Sequence, residues 1–171
     1  WRKVIIMTRS VYQGNQLVHC QAIIKTSDVL DDLFSIPETV KKRGRGIYYN
    51  VAASFDIETT SFIHNGEKCG LMYVWAFHMQ NTIVTGRTWE EFVQFMNRLT
   101  VWLNTGPECK LVIYIHNLSY EFQFMREYFI WDSVFSIDTR KPIKATTITG
   151  IEFRCSYILS GLSLAKTAKQ L

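Results

Sequence analysis

Residues 111–122 read Leu-Val-Ile-Tyr-Ile-His-Asn-Leu-Ser-Tyr-Glu-Phe, and this stretch decides the fold. Its first five residues form a continuous apolar run, which is typical of a strand covered on both faces of a sheet. The spacing of Leu118, Phe122 and Met125 then predicts a helix at about 119–129. A buried strand that leads directly into an amphipathic helix favours a mixed sheet with helices packed on its faces.

The segments around this stretch predict further strands and one long helix. Strands are expected at 47–57, 70–78 and 82–85, with more within 132–158. Thr88 and Glu91 have the spacing of a capping box, which predicts the start of a helix over 89–103. From residue 47 onward, the order of strands and helices predicts an α/β fold whose mixed sheet is flanked by helices.

The first 49 residues are predicted to form an N-terminal extension. Two β-rich segments around Gln13-Gly14-Asn15 predict a β-hairpin within residues 1–26. A short helix and a basic loop, 41–46, follow the hairpin. The loop could neutralise DNA phosphates, although a solvated basic loop explains it as well. We therefore divide the chain into an extension, 1–49, and a main domain, 50–171.

Composition narrows the class of protein. The chain has 171 residues, of which 47% are hydrophobic, so a sizeable core can be buried. A formal net charge of +4 is compatible with an anionic polymer as partner. No apolar run approaches the roughly 18 residues that span a bilayer, so we expect no membrane partner and a cytoplasmic location. The four cysteines are widely separated, which favours reduced thiols over a zinc site.

Two carboxylates lie at the end of the predicted strand at 47–57, in the motif Phe55-Asp56-Ile57-Glu58-Thr59-Thr60. Residues two apart in a strand point to the same side, so Asp56 and Glu58 are expected to project together. Two carboxylates held close repel each other unless a cation lies between them. Hard divalent ions such as Mg²⁺ take oxygen ligands of this kind. An exposed acidic pair at a strand end is the alternative interpretation.

A third carboxylate, Glu121, lies in the motif that runs from His116 to Phe122. If strand 111–115 is parallel to strand 47–57, both motifs meet at one edge of the sheet, where ligands of open α/β sheets bind. Glu121 is then expected to approach Asp56 from the neighbouring helix. Alternatively, Glu121 serves only to complement the helix macrodipole.

Together these two motifs resemble the first two exonuclease motifs of the protein-primed family B DNA polymerases of phages and linear plasmids. Residues 74–76, 89–92 and 156–164 also resemble this family, so the resemblance covers about 50–171. It implies an RNase H-like fold and a 3′→5′ exonuclease that hydrolyses the terminal nucleotide with two Mg²⁺ or Mn²⁺ ions. It also implies a full-length DNA-directed DNA polymerase that replicates viral or plasmid DNA.

The resemblance assigns roles to individual residues. Asp56, Glu58 and Glu121 become the catalytic carboxylates and metal ligands. The implied DNA-binding residues are Thr59, His116, Asn117, Tyr120, Ser156 and Tyr157. Of these, the last two match a motif that contacts single-stranded DNA and the terminal (priming) protein, and the tyrosines offer faces on which bases stack. A purely structural role is the alternative for the histidine.

Three departures from the family pattern affect the expected activity. Glu121 stands where many relatives carry aspartate, and the segment around Cys155 has no carboxylate. The third family motif, a tyrosine followed four residues later by aspartate, does not occur after Tyr157. We therefore expect a domain truncated before its third motif, with an incomplete two-ion site and little or no exonuclease activity by this chain alone.

Two other functions remain open from the sequence. The chain could belong to a stand-alone RNase H-like nuclease. It could also be a non-catalytic module that binds single-stranded DNA or the priming protein. Residues 1–49 could likewise be an added strand pair or a separate small module.

Overall fold

A computed structural model describes residues 5–13, 16–24, 29–42, 44, 46–163, 166 and 169. The side chains discussed below lie between Leu30 and Ser163. The sequence also predicts a short helix at 163–171, which falls almost entirely outside the described residues. A short helical turn precedes it, at 157–160.

The described chain alternates strands with short and long helices. In order, the elements are β1 (Ile5–Gln13), β2 (Gln16–Ile24), α1 (Val29–Leu33), β3 (Thr39–Lys42), β4 (Gly46–Tyr49), β5 (Ala53–His64), β6 (Glu67–Met79), β7 (Thr82–Gly86), α2 (Trp89–Leu103), β8 (Cys109–Ile115), α3 (Leu118–Met125), β9 (Trp131–Asp138), β10 (Lys141–Thr147), β11 (Ile151–Cys155) and α4 (Tyr157–Ser160).

Nine of these strands form one open, mixed sheet in the order β2-β1-β7-β6-β5-β8-β11-β10-β9. The central strands β5, β8 and β11 are parallel, and the pairings on either side of them are antiparallel. The β3–β4 hairpin joins this sheet because β4 pairs in parallel with the start of β8. The predicted α/β class, a mixed sheet with flanking helices, is confirmed.

One face of the sheet is covered by helices and holds the core. Phe55 on β5 stacks on Phe92 of α2, with ring centroids 4.2 Å apart. Trp75 on β6 packs against the same helix and is almost wholly buried. Leu111 and Ile113 of β8 belong to this cluster. The apolar stripe of α2 therefore faces the sheet, as its spacing predicts.

Both ends of α2 are stabilised by the residues that the sequence provides there. The Thr88 hydroxyl accepts a hydrogen bond from the Glu91 N–H, and the Glu91 carboxylate accepts one from the Thr88 N–H, both at 3.2 Å. This is the predicted capping box. At the other end, Asn104 adopts a left-handed conformation that closes the helix.

Loss of the capping hydroxyl is expected to cost measurable stability. The Thr88→Ala variant leaves the Glu91 N–H without its partner, which should lower the free energy of unfolding by about 1 kcal/mol. Chemical denaturation followed by circular dichroism measures this change. Thr139→Ala, in the exposed turn between β9 and β10, is the control and should be near neutral. Equal losses in the two variants would mean that the cap contributes nothing.

Two predictions about the region before β5 are wrong. The strand predicted at 47–57 is two strands, β4 and β5, each of which pairs with β8. Residues 50–52 between them belong to neither strand. The predicted basic loop is partly strand, since Lys41 and Lys42 close β3 and pair with β4. Gly44 and Gly46 have positive φ angles, which allow the chain to turn tightly between these strands.

The structure also tests the predictions of the N-terminal hairpin and of the helix after β8. The hairpin is confirmed, with β1 and β2 antiparallel, and β1 also pairs with β7 of the main sheet. The helix predicted to reach residue 129 ends at Met125. Phe129 lies beyond it, where its ring packs on Trp131 and Phe153. Phe129 therefore belongs to the core without being part of the helix, although it lies four residues after Met125.

Candidate active site

The first two carboxylates lie on the face of β5 that points away from the core. Phe55 and Ile57 are buried, whereas Asp56 and Glu58 alternate with them and are exposed. The pairing of β5 with β6 shifts directly after Glu58, which leaves Tyr73 as the extra residue of a β-bulge. Bulges bend and twist a strand and often lie beside functional sites. The bulge here separates the carboxylates from the threonines that follow.

Three polar residues lie side by side at the carboxyl ends of the parallel strands. β5 pairs in parallel with β8, which meets the condition under which the two motifs share one edge of the sheet, and β11 continues the parallel register on the other side of β8. Following that register places Asp56, His116 and Ser156 in one row across the sheet. This edge is where open α/β sheets bind their ligands.

A tight turn after β8 orients His116. Asn117 adopts a left-handed conformation, with φ of 82°, which asparagine tolerates better than most residues. The His116 Nδ1 atom lies 3.2 Å from the Ser156 hydroxyl, and the Tyr157 ring packs edge-on against the imidazole. The Nε2 atom is buried and has no hydrogen-bond partner among the described residues. A buried polar atom of this kind is well placed to bond a ligand.

Glu121 extends from the first turn of α3 into the interior, and its side chain is 5% exposed. Burial raises the pKa of its carboxyl group to about 7, and the negative charge of Asp56 adds to the shift. Its Oε2 atom has no hydrogen-bond partner within the described part of the chain. Burial also raises the pKa of Asp56, with a smaller contribution from Glu58. The carboxylates thus repel each other at this edge.

These acidic residues fit a hard divalent cation in chemistry, but not as a complete set of ligands. Carboxylate oxygens are the donors that Mg²⁺ and Mn²⁺ prefer. Asp56 and Glu121 are close enough for their charges to interact, and the Glu121 Oε2 atom has no hydrogen-bond partner among the described residues. No group of three His, Cys, Asp or Glu side chains in the described ranges is arranged to hold one ion. A cation here would be held by Asp56 and Glu121, with Glu58 on the same face.

A cleft of about 410 Å³ is lined by Thr59 and Thr60, the residues that directly follow Glu58, and by Tyr120 of α3. The Thr59 and Tyr120 hydroxyls form a hydrogen bond of 2.5 Å beside it, which links the end of the acidic motif to α3. Tyr120 is 44% exposed, and its ring packs against Phe124 at 5.2 Å. The tyrosine therefore offers an accessible aromatic face whose position is fixed by two contacts.

Sequence reasoning did not predict that Lys68, Gly70 and Phe124 lie at this cleft. Lys68 brings a positive charge to its lining, and Gly70 lets the Phe124 ring approach β6 closely. A Cβ atom at Gly70 would lie 3.0 Å from that ring. The i, i+4 spacing of Tyr120 and Phe124 was the available signal, since such residues are neighbours on a helix. Nothing in the sequence indicated that Lys68, on β6, would lie near Tyr120 and Phe124.

The DNA-binding residues expected from the motifs are thus divided among three places. Thr59 and Tyr120 lie together at the cleft. His116, Ser156 and Tyr157 contact one another at the sheet edge. Asn117 is exposed in the turn, and its side chain makes no capping hydrogen bond. The first two groups flank the carboxylates.

Comparisons with known proteins add no information about the function of this site. No protein-family model, no curated protein and no solved structure matches the chain. The resemblance of the two motifs therefore depends on the residues themselves and on their arrangement. A search of the described helices finds none that is both long and apolar enough to cross a membrane.

Proposed function

We propose that this edge of the sheet is a 3′→5′ exonuclease site that removes the terminal nucleotide of single-stranded DNA. The observation that carries the proposal is that Glu121 is close enough to Asp56 for their charges to interact, at the carboxyl ends of parallel strands. The Glu121 Oε2 atom is buried and has no hydrogen-bond partner among the described residues. Nearby, an exposed aromatic ring and a cleft can receive a nucleotide.

Each group of residues has a distinct task in this proposal. Tyr120, held by Thr59, supports the terminal base by stacking, and Lys68 neutralises phosphate charge in the cleft. His116 offers its free Nε2 atom to the strand. Bound Mg²⁺ or Mn²⁺ would activate water and stabilise the leaving 3′ oxygen. Asp56, Glu58 and Glu121 supply the negative charge that attracts such ions.

We further propose that the site belongs to a protein-primed family B DNA polymerase of viral or plasmid origin, with an RNase H-like exonuclease domain from about residue 50. Its partners would be the 3′ end of single-stranded DNA and the terminal protein, acting in the host cytoplasm. The support is the pair of motifs, together with the exposed Tyr157 beside Ser156, which offers a contact for a strand or a partner.

Digestion of a single-stranded oligonucleotide labelled at its 3′ end tests this function. The assay compares the chain with a longer polymerase that includes the segment in which the third motif is expected. The proposal predicts that the longer protein releases the labelled mononucleotide only with Mg²⁺ or Mn²⁺. Metal-independent release, or release from the 5′ end, would contradict it.

A non-catalytic module that binds single-stranded DNA is the second candidate. It is favoured by the exposed Tyr120 ring and by Lys68 at the cleft, since both can contact a strand without a metal ion. It predicts that the oligonucleotide binds equally well with and without divalent ions. It also predicts that the longer protein never shortens the oligonucleotide.

Removal of the Tyr120 ring is expected to weaken binding of single-stranded DNA about tenfold, because stacking on one aromatic ring contributes about 1–3 kcal/mol per base. Fluorescence anisotropy of a labelled oligonucleotide with the Tyr120→Ala variant measures this loss. Tyr120→Phe is the matched control, since it keeps the ring and loses only the hydrogen bond to Thr59. If the phenylalanine variant binds as poorly as the alanine variant, the stacking role is wrong.

A further inference from the structure

A second pocket, of about 280 Å³, lies between the β3–β4 hairpin and β8. Its lining includes Val40, Lys42, Tyr48, Asn50, Val112 and Tyr114. The side chains of Val112 and Tyr114 alternate with the core residues of β8, as Asp56 alternates with those of β5. Both therefore face the same side of the sheet as the candidate active site.

Two cationic side chains flank the ring of Tyr48 in this pocket. The Lys42 Nζ atom is 5.3 Å from the ring centroid, and the Arg154 guanidinium carbon is 5.5 Å from it. Glu152, only 2% exposed, accepts a hydrogen bond of 2.6 Å from the Arg154 Nε atom and forms an ion pair with it. The arginine is thus both neutralised and held rigidly.

Lys42 is different, because no acidic side chain in the described ranges pairs with it. Its ammonium group is positioned by the Tyr48 ring, but its charge is not compensated there. The pocket therefore combines an uncompensated positive charge with an apolar and aromatic wall made by Val40, Val112 and Tyr114. The Asn50 side-chain amide at its rim has both a donor and an acceptor.

This combination matches the chemistry of a nucleotide, which pairs a negatively charged phosphate with a flat, largely apolar base that has hydrogen-bonding edges. The pocket volume is close to the lower end of the range for small-ligand sites. Tyr114 pairs with Ser54, two residues before Asp56 on the same strand, which is about 7 Å along the sheet. A strand whose end lies at the carboxylates can therefore continue across this face to the pocket.

We propose that the pocket between the β3–β4 hairpin and β8 binds one internal nucleotide of the single strand whose 3′ end lies at Asp56. Its phosphate contacts Lys42, and its base lies against Tyr114. This subsite rests on the proposed exonuclease function, because that function supplies the strand. A free nucleotide shares the same chemistry, and the test below separates the two sources.

The test is fluorescence anisotropy of the 171-residue chain with a labelled oligonucleotide of roughly a dozen nucleotides, which is within the range of single-strand site sizes. Lys42→Ala is expected to weaken binding about fivefold and to reduce the salt slope by about 0.7, the value for one lost phosphate contact on a single strand. Lys42→Arg keeps the charge and should bind like the unchanged chain.

Lys41→Ala is the matched control. It removes the same charge from the next residue of β3, but Lys41 pairs with Ile47, faces the other side of the hairpin and is not in the pocket lining. We expect it to change binding less than twofold. Equal losses for Lys41→Ala and Lys42→Ala would overturn the subsite, since they would show only a general effect of charge.

Competition with thymidine monophosphate distinguishes the source of the nucleotide. If the monophosphate leaves oligonucleotide binding unchanged at millimolar concentration, the occupant is a nucleotide of the strand, as proposed. If it competes in a Lys42-dependent manner, a free nucleotide occupies the pocket and the proposed path of the strand is wrong. Tyr120→Ala separates the subsite from the exonuclease site. If Tyr120→Ala weakens oligonucleotide binding and Lys42→Ala does not, the subsite proposal fails and the proposed exonuclease site is unaffected.

Discussion

Replacing Asp56 by asparagine in the longer protein of the digestion assay is expected to slow removal of the 3′-terminal nucleotide about 1,000-fold. The reason is that the amide keeps the shape of the side chain and loses the charge with which it attracts a divalent cation. Metal ions contribute several kcal/mol of transition-state stabilisation, and each 1.36 kcal/mol corresponds to a tenfold change in rate. Release of a 3′-labelled nucleotide under single-turnover conditions measures the change.

Asp132→Asn provides the control for this variant. Asp132 is an exposed carboxylate on β9, at the far edge of the sheet from β5. It should leave the rate of nucleotide release within twofold of that of the unchanged enzyme. If Asp56→Asn is also within twofold, the carboxylate pair on β5 is not part of an exonuclease site.

Glu121 is expected to make the stability of the cation-free chain depend on pH. Its pKa is about 7 in the folded chain, against an ordinary value of 4.5. Between these two values the folded chain keeps a proton that the unfolded chain has lost, so the free energy of unfolding falls as pH rises through this window. The loss between pH 5 and pH 8 is on the order of 2 kcal/mol.

The Glu121→Gln variant should remove this dependence, because glutamine has no charge to bury. Its stability at pH 8 should exceed that of the unchanged chain, whereas the two should be similar at pH 5. Urea denaturation at both pH values gives the comparison, with Glu67→Gln at an exposed position of β6 as the control. If Glu121→Gln keeps the full slope between pH 5 and pH 8, the carboxyl group of Glu121 is not the one that titrates.

The parts of the fold that depend on local sequence were predictable. The capping box and apolar stripe gave α2 its bounds, 89–103, because both signals lie within the helix itself. The continuous apolar run indicated that β8 is a central strand, and Ile113 is indeed wholly buried. The parallel pairing of β5 with β8 was only a condition of the sequence argument, and the structure meets it.

The parts that depend on contacts between distant segments were not predictable in the same way. The break at 50–52 is invisible in the sequence, because it reflects where β4 and β5 meet β8 rather than any strong turn signal. Lys68 reached the cleft only because β6 pairs with β5. The position of Lys42 over the Tyr48 ring likewise depends on the pairing of β3 with β4, which the sequence did not indicate.

A titration with Mn²⁺ tests the central claim, that Asp56 and Glu121 together attract a divalent cation, most directly. Mn²⁺ broadens the nuclear magnetic resonance signals of the groups nearest to it, so side-chain carboxyl signals report where the ion binds. We expect the signals of Asp56 and Glu121 to broaden first, with Glu58 close behind, and this order to be lost in Asp56→Asn. Earlier broadening at surface carboxylates such as Asp138, with Glu121 unaffected, would contradict this claim.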